Sequence, residues 1–555
     1  MFYTQIDKYQ KTWLYWNSLW LLLVLIPLFS RTFLQIDETR YVTVAWEMWI
    51  GGDWLVPSLN GELYHHKPPL LFWLMHLGWA IFGVNEWWPR IIPGLFSLGS
   101  LWLTVLLARQ LWPQHPQIAQ WAPLVLLSSL LWSLFTSATM FDMVLAFFTL
   151  LGMVAIVHAG HKNELKAYGL LGVAIGLGIL TKGPVILLHL LPVALFAPWW
   201  QRARQFSWRS WYLGLLGSTL LGALIALAWA IPAGLAGGSE FRQALFWGQT
   251  ANRIVNSFAH NHPLWWYLPL LPVALFPWLL WLPFWRGLLQ LSQHLNVPKY
   301  LNDREEGVRF CFLWLILTLI AFSLVSGKQL HYLLPTLPAF ALLMTYLIVK
   351  FPLEKQQRRW DTLLPALVIM MMGILLIMAP HLYLKLRLPI WVSQITVLPG
   401  IILLILSGIL ITWKLSQVKQ RLLLISVVGI LFSLILPLTI IRAAGPAYDL
   451  HEISQHISTL QRRGEKLAHF GNYHGQYQFL GRLKEPLTVV DEYTICPWLA
   501  QHPRGQLIVY FSSSYKKLSQ YANYVQAYRS KVVGIIDAPF LYGACIMVNA
   551  RNPIF

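Results

Sequence analysis

The segment Asp37-Glu38-Thr39-Arg40-Tyr41 sets two carboxylates and a guanidinium shortly after an apolar run, Trp13 to Ser30. Charge at a lipid boundary must be hydrated or paired, so a cluster of this kind asks for a role. Arginine offers an oxyanion a planar fork and lysine a point charge. A carboxylate beside them can take a proton from an attacking hydroxyl or orient a reactant. Asp37 and Glu38 also have a plainer reading, as cap and charge at the N-terminus of a helix running to Glu47. Lys67, Asp142, Lys182, Arg253, His260 and Lys328 are further ionisable residues set at the ends of apolar runs, apart from the main basic clusters. For any one of these cations the plainer reading is a side chain reaching for lipid headgroups.

A membrane is what would gather residues so far apart in sequence. Of 555 residues, 57% are hydrophobic and 11% charged, and the mean hydropathy is +0.54. That is more apolar surface than a soluble domain can bury. About thirteen segments come near the roughly 20-residue length that crosses a bilayer. The first, Trp13 to Ser30, lacks a small-residue cleavage site and is followed by Arg31, so it reads as a retained span. Pro68 to Gly83 is apolar but short, and it opens on two prolines. If it lies in the interface instead of crossing, the basic clusters around Lys8, Lys162, Arg204, Arg304, Arg358 and Lys419 all fall on one side, as the positive-inside rule asks. The loop at 31–90 then lies on the opposite, outer side, with the turns at Asp142, Lys182, 237–262 and Lys328. The same rule accounts for the net charge of +19, which needs no nucleic-acid partner.

From about residue 443 the hydropathy falls, and strand-like runs, Gln506 to Phe511 and Lys531 to Ile536, alternate with polar, helix-like stretches. The chain therefore reads as an all-α polytopic membrane bundle over 1–442, with interfacial helices in its 31–90 loop, and a small C-terminal α/β domain over 443–555 on the outer side. That domain serves either as an acceptor-binding lid or as a cover that stabilises the bundle. It holds no glycine-rich phosphate loop and no nucleophile elbow. Cys496 and Cys545 within it can pair if it faces an oxidising compartment.

The Asp37–Tyr41 segment is followed by Gly52-Asp53-Trp54-Leu55-Val56-Pro57, by Tyr64-His65-His66-Lys67-Pro68-Pro69, and by Phe141-Asp142 before a span. Then come Thr181-Lys182-Gly183-Pro184, His260 ahead of Pro263-Leu264-Trp265-Trp266-Tyr267, and Ser326-Gly327-Lys328 leading to Tyr332-Leu333-Leu334-Pro335. In this order, over nearly the whole chain, the set resembles the bacterial aminoarabinose transferases of lipid A, a family of the GT-C fold related to protein O-mannosyltransferases. The resemblance implies a bacterial inner-membrane glycosyltransferase with its site and tail in the periplasm. Such an enzyme moves a sugar from undecaprenyl phosphate to lipid A phosphate, an activity tied to polymyxin resistance. The resemblance further implies that Asp37 is the key carboxylate and that Arg40, Lys67 and Tyr332 hold the carrier's phosphate. Glu38, Tyr41, Tyr64, His66, Asp142, Lys182, Arg253, His260 and Lys328 would line the cavity. Where the family typically has Phe-Glu before its lysine, this chain has His65-His66. A carboxylate there would pair with an amino group on the sugar, so a galactosamine or a hexose stands beside aminoarabinose as the sugar.

A donor of this class leaves as a phosphate, whose departure needs cations and hydrogen-bond donors. It carries no pyrophosphate, so no metal cofactor is expected. His66 and His260, with His65, would be the residues to gather a zinc, although interfacial histidines more often serve as hydrogen-bonding groups. One rival reading keeps fold and donor and changes the acceptor to a protein or another glycan. Another is a lipid or sugar flippase, which would hold its ionisable residues near the bilayer midplane within a repeated topology.

Overall fold

The computed structural model describes residues 2–201, 206–248, 261–295, 306–351, 359–413, 415, 417–511 and 516–541. Among the described residues, nine helices are long and apolar enough to cross a membrane. They lie within Thr12–Ser30, Trp87–Leu111, Phe141–Lys162, Leu165–Lys182, Trp208–Ala236, Glu306–Leu324, Leu330–Lys350, Trp360–Leu382 and Val418–Arg462. The chain is a multi-pass membrane protein. Four other apolar runs expected to span, near 120–141, 183–200, 263–285 and 391–413, are divided into shorter pieces. The run at 263–285 shows why: Pro269, Pro272 and Pro277 each lack an amide hydrogen, and only short 3-10 and α turns form between them. At 120–141 the break comes at Ser128 and Ser129, whose hydroxyls bond back to the Leu124 and Val125 carbonyls.

Three helices open the chain: α1 (Phe2–Ser30), α2 (Asp37–Gly51) and α3 (Leu70–Phe82), the last being the short helix expected between Pro68 and Gly83. The structure divides into two compact units. The first comprises Met1–Phe29, His65–Ile377 and Val397–Pro437. Helices in lipid associate by close packing and internal hydrogen bonds, and this unit uses both. Gly172 and Gly176 of Leu165–Lys182 receive Leu221 and Ile225 of Trp208–Ala236, and a Cβ on Gly172 would stand 2.9 Å from the Ser218 carbonyl oxygen. Buried Ser97 bonds Thr136 at 3.0 Å and accepts from Trp132 Nε1 at 3.0 Å. Cys311 is buried here as a free thiol.

The second unit comprises Ser30–Tyr64, Met378–Thr396 and Leu438–Phe555, so the start of the first loop belongs with the tail. Its hairpin of β1 (Ser58–Leu59) and β2 (Glu62–Leu63) turns at Asn60 and Gly61, both at positive φ, as a two-residue turn requires. The tail forms a five-stranded sheet of β3 (Leu467–Phe470), β4 (Thr488–Val490), β5 (Gln506–Phe511), β6 (Ala522–Tyr528) and β7 (Lys531–Asp537), in the order β4-β3-β5-β7-β6. β3 runs parallel to β4 and β5, whereas β7 is antiparallel to β5 and β6. Trp498, Leu499, Leu507, Val509 and Ile536 form its core. Cys496 is disulfide-bonded, while its expected partner Cys545 lies outside the described residues.

The loop helix and the tail are built as one piece. Thr43 Oγ1 of α2 donates to the Gly475 carbonyl at 2.7 Å, and Trp46 Nε1 donates to the Leu483 carbonyl at 2.8 Å. The Asn60 amide donates to Leu487 O at 2.9 Å and accepts from Gln478 Nε2 and Leu487 N, each at 2.8 Å. Glu47 of α2 accepts from the amides of Asn60 and Gly61 at 2.6 and 3.1 Å. Burial raises its carboxyl above the usual range, and those two amides partly offset the shift.

Candidate active site

In the second unit, α2 begins at Asp37 with both carboxylates in its first turn and no side-chain cap at Ile36. Acidic groups there complement the helix dipole. Beyond that the two neighbours part company. Glu38, 2% exposed, accepts from Arg31 Nη1 at 2.6 Å, Arg31 Nη2 at 3.0 Å and the Leu34 amide at 2.6 Å. A forked pair of this kind fixes the path of the chain from Arg31 into α2. Asp37 stays half exposed and pairs with Arg40 one turn along, with the Tyr41 hydroxyl 3.5 Å away. The Arg40 guanidinium lies over the Tyr41 ring, 5.5 Å from its centroid. Burial opposes its charge, but Tyr64, Tyr41 and Asp37 outweigh that and hold its pKa above the ordinary value. The result is a permanently charged fork, partly open, with a carboxylate and two phenols around it.

The first unit builds a second cluster. Asp142 sits in the first turn of Phe141–Lys162, and Lys182 closes Leu165–Lys182, so the helix pairing brings them to the same end. Lys182 Nζ donates to Asp142 Oδ1 at 2.5 Å, and His331 Nε2 stands 3.7 Å from the same oxygen. Lys182 also lies over the Tyr332 ring at 4.7 Å, and Lys67 over the Phe141 ring at 5.7 Å. Lys67 is within electrostatic reach of Asp142. With the Asp142 side chain 3% and the Lys182 side chain 10% exposed, the pair is nearly out of solvent, and each charge depends on the other.

The remaining candidates divide. Tyr64 is buried and electrostatically coupled to Arg40. His66 is exposed, its ring 4.4 Å from that of His65. Lys328 is buried and donates to the carbonyls of His262 and Val325 at 2.8 and 2.7 Å, which gives it a structural task at the turn. Arg253 and His260, the latter one member of the expected zinc set, lie outside the described residues. Sequence reading missed Arg31 as the partner of Glu38, and His331, whose only signal was its place beside Tyr332.

Two clusters on this scaffold invite comparison with known proteins. Residues 66–231 match the family model described as dolichyl-phosphate-mannose-protein mannosyltransferase. Among solved structures, ArnT from Cupriavidus metallidurans superposes with a TM-score of 0.73 in the apo state and 0.71 bound to undecaprenyl phosphate. The match covers 94% of this chain and 97% of that one, at 18% and 19% identity. The chain shares the ArnT fold. The undecaprenyl phosphate-alpha-4-amino-4-deoxy-L-arabinose arabinosyl transferase of Pseudomonas paraeruginosa is 34% identical over 385 residues, 67% of this chain and 65% of that protein. Its namesake from Pseudomonas aeruginosa is 35% identical over 339 residues, 59% of this chain and 58% of that protein. The chain thus aligns with 58–65% of the length of these relatives. The all-α bundle with an α/β tail, expected from sequence, is the ArnT-like architecture found, and the resemblance to the aminoarabinose transferases holds.

Proposed function

We propose that this protein is an integral-membrane glycosyltransferase that uses a polyprenyl phosphate sugar. It moves aminoarabinose or a related sugar from undecaprenyl phosphate to lipid A phosphate at the periplasmic face of the bacterial inner membrane. The observation that carries this reading is the half-exposed Asp37 paired with Arg40 on the helix after the first span, in a chain that keeps the ArnT fold over 94% of its length. The acceptor oxygen attacks the anomeric carbon, the bond from that carbon to the phosphate oxygen breaks, and undecaprenyl phosphate leaves with the electron pair. Arg40 receives the phosphate, and that new partner draws it from Asp37. Asp37 is then free to take a proton from a hydroxyl acceptor, or to orient an acceptor phosphate, which with a second pKa of about 6 is already ionised. Lys67 and Tyr332 are assigned the same phosphate on the resemblance alone. Sugar release by the purified protein from undecaprenyl-phosphate aminoarabinose tests the reading. Turnover excludes pure transport, and no turnover with any polyprenyl phosphosugar favours a flippase.

The transfer asks for no metal, because two cations and a phenol are assigned to the departing phosphate. Full transfer activity after dialysis against EDTA, within about twofold of the untreated rate, is the expected result. A loss that zinc restores would assign the exposed His66 to a metal.

The disulfide at Cys496 supports an outer, oxidising position for the tail. Cysteines introduced at exposed Glu62 and Tyr493 are expected to react with a membrane-impermeant maleimide in intact spheroplasts, and one at exposed Lys162 only after lysis. Labelling of Lys162→Cys alone would invert the orientation.

A further inference from the structure

The tail sends one loop against the Arg40 helix. After β3 the chain passes through Gly471 and Gly475, both at positive φ, and is pinned on each side of His474. On one side the Tyr473 hydroxyl bonds Gln478, which in turn bonds Asn60. On the other, the Gly475 carbonyl accepts from buried Thr43 of α2 at 2.7 Å. Gly475 fits so closely that an added Cβ would stand 2.8 Å from Thr43 Cγ2 and 2.6 Å from Leu59 Cδ1. The His474 amide donates to Gln476 Oε1 at 3.0 Å, and Gln476 Nε2 donates to the Tyr510 hydroxyl of β5 at 2.6 Å. Every anchor is made by a neighbour or by the backbone, while the His474 ring itself is only half buried.

Thr43 stands one helical turn from Arg40, on the same side of α2. His474 therefore reaches the electrostatic field of both Arg40 and Asp37. Burial and the Arg40 charge hold its imidazole below the usual histidine range, with Asp37 opposing. A neutral ring next to a guanidinium adds one N–H donor without charge repulsion, which a lysine there would bring, and without the competition for Arg40 that a carboxylate would bring.

We propose that His474, carried in from the tail, is a further substrate-site residue whose imidazole hydrogen-bonds the lipid-linked phosphate at Arg40. The inference rests on the functional reading above. It gives the tail a share in donor binding.

The test uses the full-length protein in membranes, with His474→Ala, His474→Gln and undecaprenyl-phosphate aminoarabinose as donor. A lost hydrogen bond to a charged group predicts a fall in kcat/KM of roughly tenfold to a hundredfold for His474→Ala, with the larger part in KM. His474→Gln keeps an N–H donor and recovers much of it, and both variants unfold at the wild-type temperature. Undecaprenyl phosphate alone is expected to shield His474, and not His502 of the same domain, from acylation by diethylpyrocarbonate, read by mass spectrometry. Wild-type kinetics in His474→Ala, with His474 fully acylated in the presence of undecaprenyl phosphate, overturn this inference alone. Absence of any transfer by the wild type from polyprenyl phosphosugars overturns the functional reading and this inference with it.

Discussion

Asp37→Asn is expected to lower sugar transfer by about a hundredfold or more, the scale on which a positioned carboxylate acts as a general base. The substitution keeps the shape of the side chain and removes its charge. It costs the helix the interaction of one first-turn carboxylate with the dipole and a part-exposed ion pair with Arg40, each about 1 kcal/mol or less. The path into α2 is held by the neighbouring Glu38, with Arg31 and the Leu34 amide, and stays intact. Activity and stability should therefore separate: turnover collapses while thermal unfolding in detergent barely moves. A wild-type rate in Asp37→Asn would return Asp37 to the role of a charge at a helix end. A rate lost together with the fold would show that it braces α2 instead.

The second large effect belongs to the first unit. Lys182→Met is expected to destabilise the bundle by about 3–5 kcal/mol, because it strands the Asp142 carboxylate where solvent scarcely reaches. His331 at 3.7 Å, which serves only when protonated, and Lys67 are the charges left to face Asp142, and neither replaces the 2.5 Å hydrogen bond from Lys182. Adding Asp142→Asn removes the stranded charge, and the double variant is expected to regain most of the lost stability. Its activity should stay low, since the resemblance places both residues in the substrate cavity. The check is a double-mutant cycle of unfolding in detergent, with transfer measured on the same four proteins. Equal stability of Lys182→Met and wild type would mean that the pair is dispensable to the fold and that Lys67 or His331 carries Asp142.

Much of this architecture could be read in advance wherever one physical constraint dominates a segment. Most long apolar runs became the long helices, single prolines such as Pro93 and Pro232 included, because lipid leaves the backbone no partner but itself. The run at 263–285 divides because three closely spaced prolines, Pro269, Pro272 and Pro277, disturb that internal bonding together. In the tail, β5 and β7 were visible as apolar runs between polar stretches. β6 was not, because its side chains are in good part exposed, as suits an edge strand. The site was legible as a set of residue types and not as a set of partnerships. Asp37 and Glu38 are adjacent carboxylates with equal claims in the sequence. The structure separates their partners: Arg31 takes Glu38, and Asp37 pairs with Arg40. His474 had no local signal at all, since its place beside α2 depends on Gly475 meeting Thr43 across 432 residues of chain.

The most direct test of the central claim is mass spectrometry of lipid A after incubating membranes that contain the protein with undecaprenyl-phosphate aminoarabinose. The account predicts lipid A carrying one added sugar on phosphate with wild type and almost none with Asp37→Asn. Unmodified lipid A with folded wild-type protein, across a panel of undecaprenyl phosphate sugars, would contradict it.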